Sequence, residues 1–167
     1  PADQPAAQQT PADPLRLLEA TGVPFECKGL HNLSQVDARH VAKASEVEYI
    51  KLGEIEGVLG ELPPLPEALF DVFPQFPNLK AVRLEYFLLD PEQLRRLKEI
   101  PNLKSFSVHI SRGKTRKSFN TPEDLDFLAD LPQLEHLSLT SCDLTDEMVV
   151  KLLPLRSLRI LRLSWNY

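Results

Sequence analysis

The sequence predicts an α/β fold, one parallel sheet backed by helices, and three observations carry that expectation. An L-x-x-L-x-L pattern, with Val, Ile or Phe admitted, recurs five times. Its members are Val47/Ile50/Leu52, Leu79/Val82/Leu84, Leu103/Phe106/Val108, Leu134/Leu137/Leu139 and Leu158/Leu161/Leu163. A strand with that apolar face cannot bury it alone, so neighbours must stack in parallel. The third apolar positions follow one another at steps of 32, 24, 31 and 24 residues, from Leu52 through Leu84, Val108 and Leu139 to Leu163. After each of the first four strands come a polar turn and an amphipathic segment, the signature of a helical return.

Each element can be justified in chain order. Residues 1–12 (PADQPAAQQTPA) hold nothing to bury and read as a flexible tail. "DPLRLLEATG" predicts a capped helix from Pro14 with Gly22 near its stop. Residues 13–46 are then an amino-terminal cap, and "FECKGLHNLSQVDARHVAKA" reads as a degenerate first repeat. Residues 47–167 hold the five strands, in one domain that spans 13–167. Asp90-Pro91 and Thr121-Pro122 place a capping side chain before a proline whose missing N–H costs nothing at the first helical position. Thr145 with Asp146 and Glu147 supplies a cap and favourable charge for a third return. Leu94, Leu97 and Ile100 form one inward face, and Leu125, Phe127 and Leu128 another.

Residues 47–166 resemble leucine-rich repeats, whose periods run from 20 to 29 residues; the two longer steps are insertions. "LSLTSCDLTDEMVVKL" is similar to the cysteine-containing, ribonuclease-inhibitor-like subclass, in which Cys or Asn follows the last leucine after two residues. The positions concerned are Ile55, Phe87, Ser111, Cys142 and Asn166, of which the last two fit. "LTDE" is also common in repeat proteins of bacterial envelopes. The resemblance implies a solenoid with the sheet on its concave face and helices on its convex face. It also implies protein partners held on the concave face or its rim.

Composition and motifs narrow the function classes. A net charge of −5 argues against specific nucleic-acid binding, which needs clustered Lys and Arg against phosphates. No apolar run reaches the ~18 residues of a membrane span. "GKT" at 113–115 ends like a phosphate loop, yet Val108 stands where that motif requires glycine. Asp143, Asp146 and Glu147 sit where a helix start favours carboxylates, so capping explains them better than a metal. "PPLP" at 63–66, followed by Phe70, Phe73 and Phe76, reads as a rigid connector into the core. Cys27 and Cys142 lie three strand spacings apart by this arrangement, roughly 14 Å, beyond the ~7 Å reach of a disulfide. His109 and His136 are offset by ~13 Å along the strands, too far to share a metal. No catalytic residue, cofactor or metal is expected, and the chain reads as a non-enzyme.

Alternation along each strand sends the residues between the apolar ones outward. The expected partner-binding surface holds Tyr49, Lys51, Arg83, Glu85, Tyr86, His109, His136, Arg162 and Trp165. Both insertions leave the carboxyl ends of strands, about 10 Å apart, and frame a rim pocket at Tyr86 and Phe87. One carries a basic cluster, Arg112, Lys114, Arg116 and Lys117. The expected function is protein–protein interaction. Two alternatives are the substrate-recognition part of a larger enzyme such as a ubiquitin ligase, and a structural cell-envelope component. The location stays open between export (periplasm, cell envelope or secreted) and the cytoplasm, and an uncovered last strand offers an edge for self-association.

Overall fold

The computed structural model describes residues 13–29, 43–53, 62–110 and 119–166. Six strands form one sheet whose spatial order is the chain order. They are β1 (Phe25–Lys28), β2 (Tyr49–Leu52), β3 (Ala81–Glu85), β4 (Ser105–His109), β5 (His136–Thr140) and β6 (Ile160–Arg162). β2 to β6 pair in parallel, and β1 pairs antiparallel to β2.

The register stacks equivalent positions of the repeated pattern. Ile50, Val82, Phe106, Leu137 and Leu161 form one line across the sheet, and Leu52, Leu84, Val108 and Leu139 another. The leading residues Val47, Leu79, Leu103 and Leu134 are fully buried in the same core. One fastening recurs at the entries of β3, β4, β5 and β6. Two successive N–H groups donate to one carbonyl of the preceding unit: Lys80 and Ala81 to Glu48, Lys104 and Ser105 to Lys80, Glu135 and His136 to Lys104, Arg159 and Ile160 to Glu135. Side chains reinforce it, with Lys80 on Glu48 at 2.7 Å and Lys104 on Glu135 at 2.9 Å. The Pro-Asn dipeptides have a part too. The Asn78 and Asn102 amides donate to the Ser45 and Pro77 carbonyls of the unit before.

Helical returns connect the strands. α1 (Pro14–Ala20) starts at Asp13, whose carboxylate accepts from the Leu15 N–H, and the chain leaves it through Gly22 at φ +69°. α2 (Ala68–Val72) follows the PPLP connector, which inserts Leu65 into the core and bridges Pro64 to Leu88. α3 (Pro91–Leu94) is capped by Asp90. The next return, Pro122–Asp130, is entirely 3-10, with Asp124 accepting from the Asn120 and Thr121 N–H groups. α4 (Asp146–Val149) completes the series. The Thr145 side chain does not cap the α4 backbone; its hydroxyl and the backbone N–H of Glu147 serve the Glu147 carboxylate, holding its pKa low. Leu94, Leu97, Ile100, Leu125, Phe127 and Leu128 all point into the core.

Three expectations need correction. The returns are tighter than full helices: α3 and α4 each last four residues before passing into 3-10 turns. An α-helix is ~10–12 Å across, whereas strands repeat every ~4.8 Å, so a narrower coil matches the sheet better. The segment read as a degenerate first repeat supplies β1, which runs against the others. Its alternation, Cys27 opposite Ile50 and Glu26 opposite Lys51, fits either strand direction, so period two carries no information about polarity. Residues 30–42 of that segment lie outside the described residues. Finally, Leu163 is only half-buried, and its strand neighbour Leu161 is 44 % exposed, because no strand among the described residues covers the far side of β6.

Because β1 belongs to the sheet, four strand spacings separate Cys27 from Cys142, ~19 Å rather than ~14 Å. Both are buried free thiols. Burial pushes the Cys27 thiol up to about 12 and raises Cys142 as well, so neither is a poised nucleophile. Among the described residues no helix is long and apolar enough to cross a membrane.

Candidate functional site

The face opposite the core is built from the alternate residues of the strands, and the register sorts them into rungs. The first rung is Tyr49, Ala81, Ser105, His136 and Ile160. The second is Lys51, Arg83, Ser107, Ser138 and Arg162, and the third holds Glu85, His109 and Thr140. Small residues at Ser105, Ser107 and Ser138 leave the middle low and bulkier neighbours raise the sides. The result is an open trough of about 480 Å³, lined by Tyr49, Arg83, His109, His136 and Arg162 around that serine floor. Thr140 and Ile160 complete the exposed lining.

Five of the expected surface residues therefore meet at one trough: Tyr49, Arg83, His109, His136 and Arg162. Lys51 and Glu85 do not line it. Glu85 was expected at the surface and is instead fully buried, a correction with an electrostatic cause. The Arg83 Nε donates to its Oε1 at 2.6 Å, and the Lys51 ammonium stands 3.3 Å from its Oε2. That second contact lacks hydrogen-bond geometry, so Oε2 is held by charge alone among the described residues. The chain of charges continues to β1, with Lys51 on Glu26 at 3.4 Å and Lys28 on Glu26 at 3.2 Å. Burial opposes the Lys51 charge, but Glu85 and Glu26 outweigh it and hold the ammonium above the ordinary lysine range. Likewise burial would raise Glu26, yet Lys28 and Lys51 leave it lowered. Burial also raises the Tyr49 phenol, against the opposing pull of Arg83 and Lys51. This five-membered network was hidden in the sequence, because Glu26 meets Lys51 only through the pairing of β1 with β2.

Gly53 closes the same corner. It adopts φ +92°, and a Cβ there would lie 2.1 Å from the Glu85 carbonyl oxygen. Only glycine lets the chain leave β2 so close to β3.

The rim residues do not line the trough. Tyr86 takes a left-handed φ of 62°, its N–H donates to the His109 carbonyl, and its ring lies 5.4 Å from the His109 imidazole. Trp165 repeats that backbone conformation three strands away and is 66 % exposed. Ser141, at the same place in its unit, does so too. The basic cluster Arg112, Lys114, Arg116 and Lys117 lies outside the described residues, as does the 54–61 part of the other insertion, so the rim pocket expected between them is not described. Phe87 itself is buried.

At the Cys/Asn position, Asn166 behaves as a fastener. Its Oδ1 accepts from the Cys142 and Leu144 N–H groups at 2.9 and 3.2 Å. Its Nδ2 donates to the Leu139 and Leu163 carbonyls at 2.7 and 3.0 Å. Among the described residues no group of three or more His, Cys, Asp or Glu side chains is placed to hold a metal ion. The chain matches no known family model, and no curated protein matches it.

Proposed function

We propose that this chain is a leucine-rich-repeat solenoid that holds a protein partner on its sheet face, without chemistry of its own. The observation that carries this reading is the trough itself, an open, polar, hydroxyl-floored surface that crosses successive parallel strands. The repeated entry fastening and the role of Asn166 support the repeat assignment, because each unit is tied to the one before in the same way. Returns wider than the strand spacing favour curvature that makes the sheet side concave, and their 3-10 stretches keep that curvature shallow. A pre-formed surface of that kind is what solenoids offer to partners, and its tyrosine and arginines belong to the residue types enriched at binding hot spots.

The test is amide-exchange mapping with a partner recovered by affinity capture on the full chain. Added protection should centre on residues 105–109 and 136–140. Protection confined to the helical side would overturn the reading.

A further inference from the structure

We propose that the trough receives an extended acidic segment, with carboxylates four residues apart taken by Arg83 and Arg162. This rests on the reading of the sheet face as a protein-binding surface and names the chemistry of the partner. The first support is charge. On a chain of net charge −5, no residue lining the trough carries a carboxylate. The lining instead offers two guanidiniums, two imidazoles and the hydroxyls of Tyr49, Ser105, Ser107, Ser138 and Thr140. Arg162 has no ion pair among the described residues. Arg83 is paired with Glu85, but its network sets three cations, Lys28, Lys51 and Arg83, against two carboxylates, so that end also keeps positive charge in excess.

The second support is spacing. Arg83, Ser107, Ser138 and Arg162 occupy a single rung. Three interstrand steps put the two arginines about 14 Å apart at the backbone. An extended peptide rises ~3.3 Å per residue, and residues i and i+4 share a face ~13 Å apart. A segment lying across the strands therefore presents one carboxylate to each arginine. The side chain between them settles over the Ser107–Ser138 floor, with His109 and His136 on either flank. The Arg162 fork suits a carboxylate because a guanidinium binds one in a bidentate manner, while Arg83, whose Nε and Nη2 face Glu85, offers its remaining N–H groups.

The experiment pans a random displayed-peptide library on the full chain and removes peptides that also bind Ser107→Trp, in which the trough is filled. The expected yield is enriched in Asp or Glu pairs at a spacing of four. One recovered peptide is then measured by fluorescence anisotropy. Arg162→Gln, at an exposed site that bears little packing, should weaken it about two- to fivefold, the upper part of the range for an exposed ion pair. The same substitution should leave the Glu→Gln version of that peptide unaffected, and added salt should erase the difference between the two peptides. Trough-dependent peptides that are apolar or basic would overturn this proposal while leaving the protein-binding reading intact. Tighter binding of single-stranded oligothymidine than of the acidic peptide would also overturn it. A library with no trough-dependent binder would overturn both.

Discussion

Strands β5 and β6 carry almost the same message and meet different fates. In β5, Leu137 and Leu139 are 1 % and 0 % exposed; in β6, Leu161 is 44 % exposed, and Leu163, one residue past the strand, is half-buried. Leu134 is fully buried, whereas its counterpart Leu158 is only partly so. The residue types and the backbone fastening at the strand entries are alike, with paired N–H donors onto Lys104 in one case and Glu135 in the other. What differs is the second neighbour, which β6 lacks among the described residues. A unit of this repeat completes its core only when units flank it on both sides. The pattern thus encodes orientation, while burial is conferred by the next strand.

That contrast can be broken or sharpened by substitution, and the largest effect belongs to the interior. Leu139→Ala should cost about 2–5 kcal/mol in urea unfolding, as for other enclosed leucines. A loss below about 0.5 kcal/mol would remove the distinction between the strands. Glu85→Gln comes next, at about 2–3 kcal/mol. Removing one partner of a buried pair strands the opposite charges, and the cost falls below that of a sealed pair because Arg83 still reaches solvent. An accompanying Lys51→Met change should recover part of it, and additive losses would show that Lys51 and Glu85 are not coupled. Asn166→Ala should cost about 1–2 kcal/mol, since it frees two N–H groups and two carbonyls at the join of β5 and β6. The smallest effect is Leu161→Ala, under about 1 kcal/mol, because nearly half of that side chain already faces water. Equal losses at Leu139 and Leu161 would contradict the burial difference between the two strands.

Much of the sheet was legible in advance. Five strands, their order and their inward residues followed from L-x-x-L-x-L and from the cap signals at Asp90 and Thr121, because period and spacing are written residue by residue. The rung of Arg83, Ser107, Ser138 and Arg162 was implicit too, as these residues share one place in the unit. The direction of β1 was not legible, for alternation reads the same both ways. Nor was the burial of Glu85, which depends on cations from two other positions, Lys51 and Arg83, closing over one carboxylate. Tyr86 and Trp165, expected at the rim of the face, do not line the trough, though the Tyr86 ring lies 5.4 Å from the His109 imidazole, which does.

The amide of Asn166 ties the turn after β5 to the turn after β6, and this has a kinetic side. Its Oδ1 is the acceptor for the Cys142 and Leu144 N–H groups, so those protons cannot meet solvent until Asn166 lets go. Fraying of the last, half-covered strand is therefore the gate through which the interior unit first opens. A weakly protected edge sets the clock for a buried neighbour, and melting is expected to run inward from β6 as a sequence of sub-global openings.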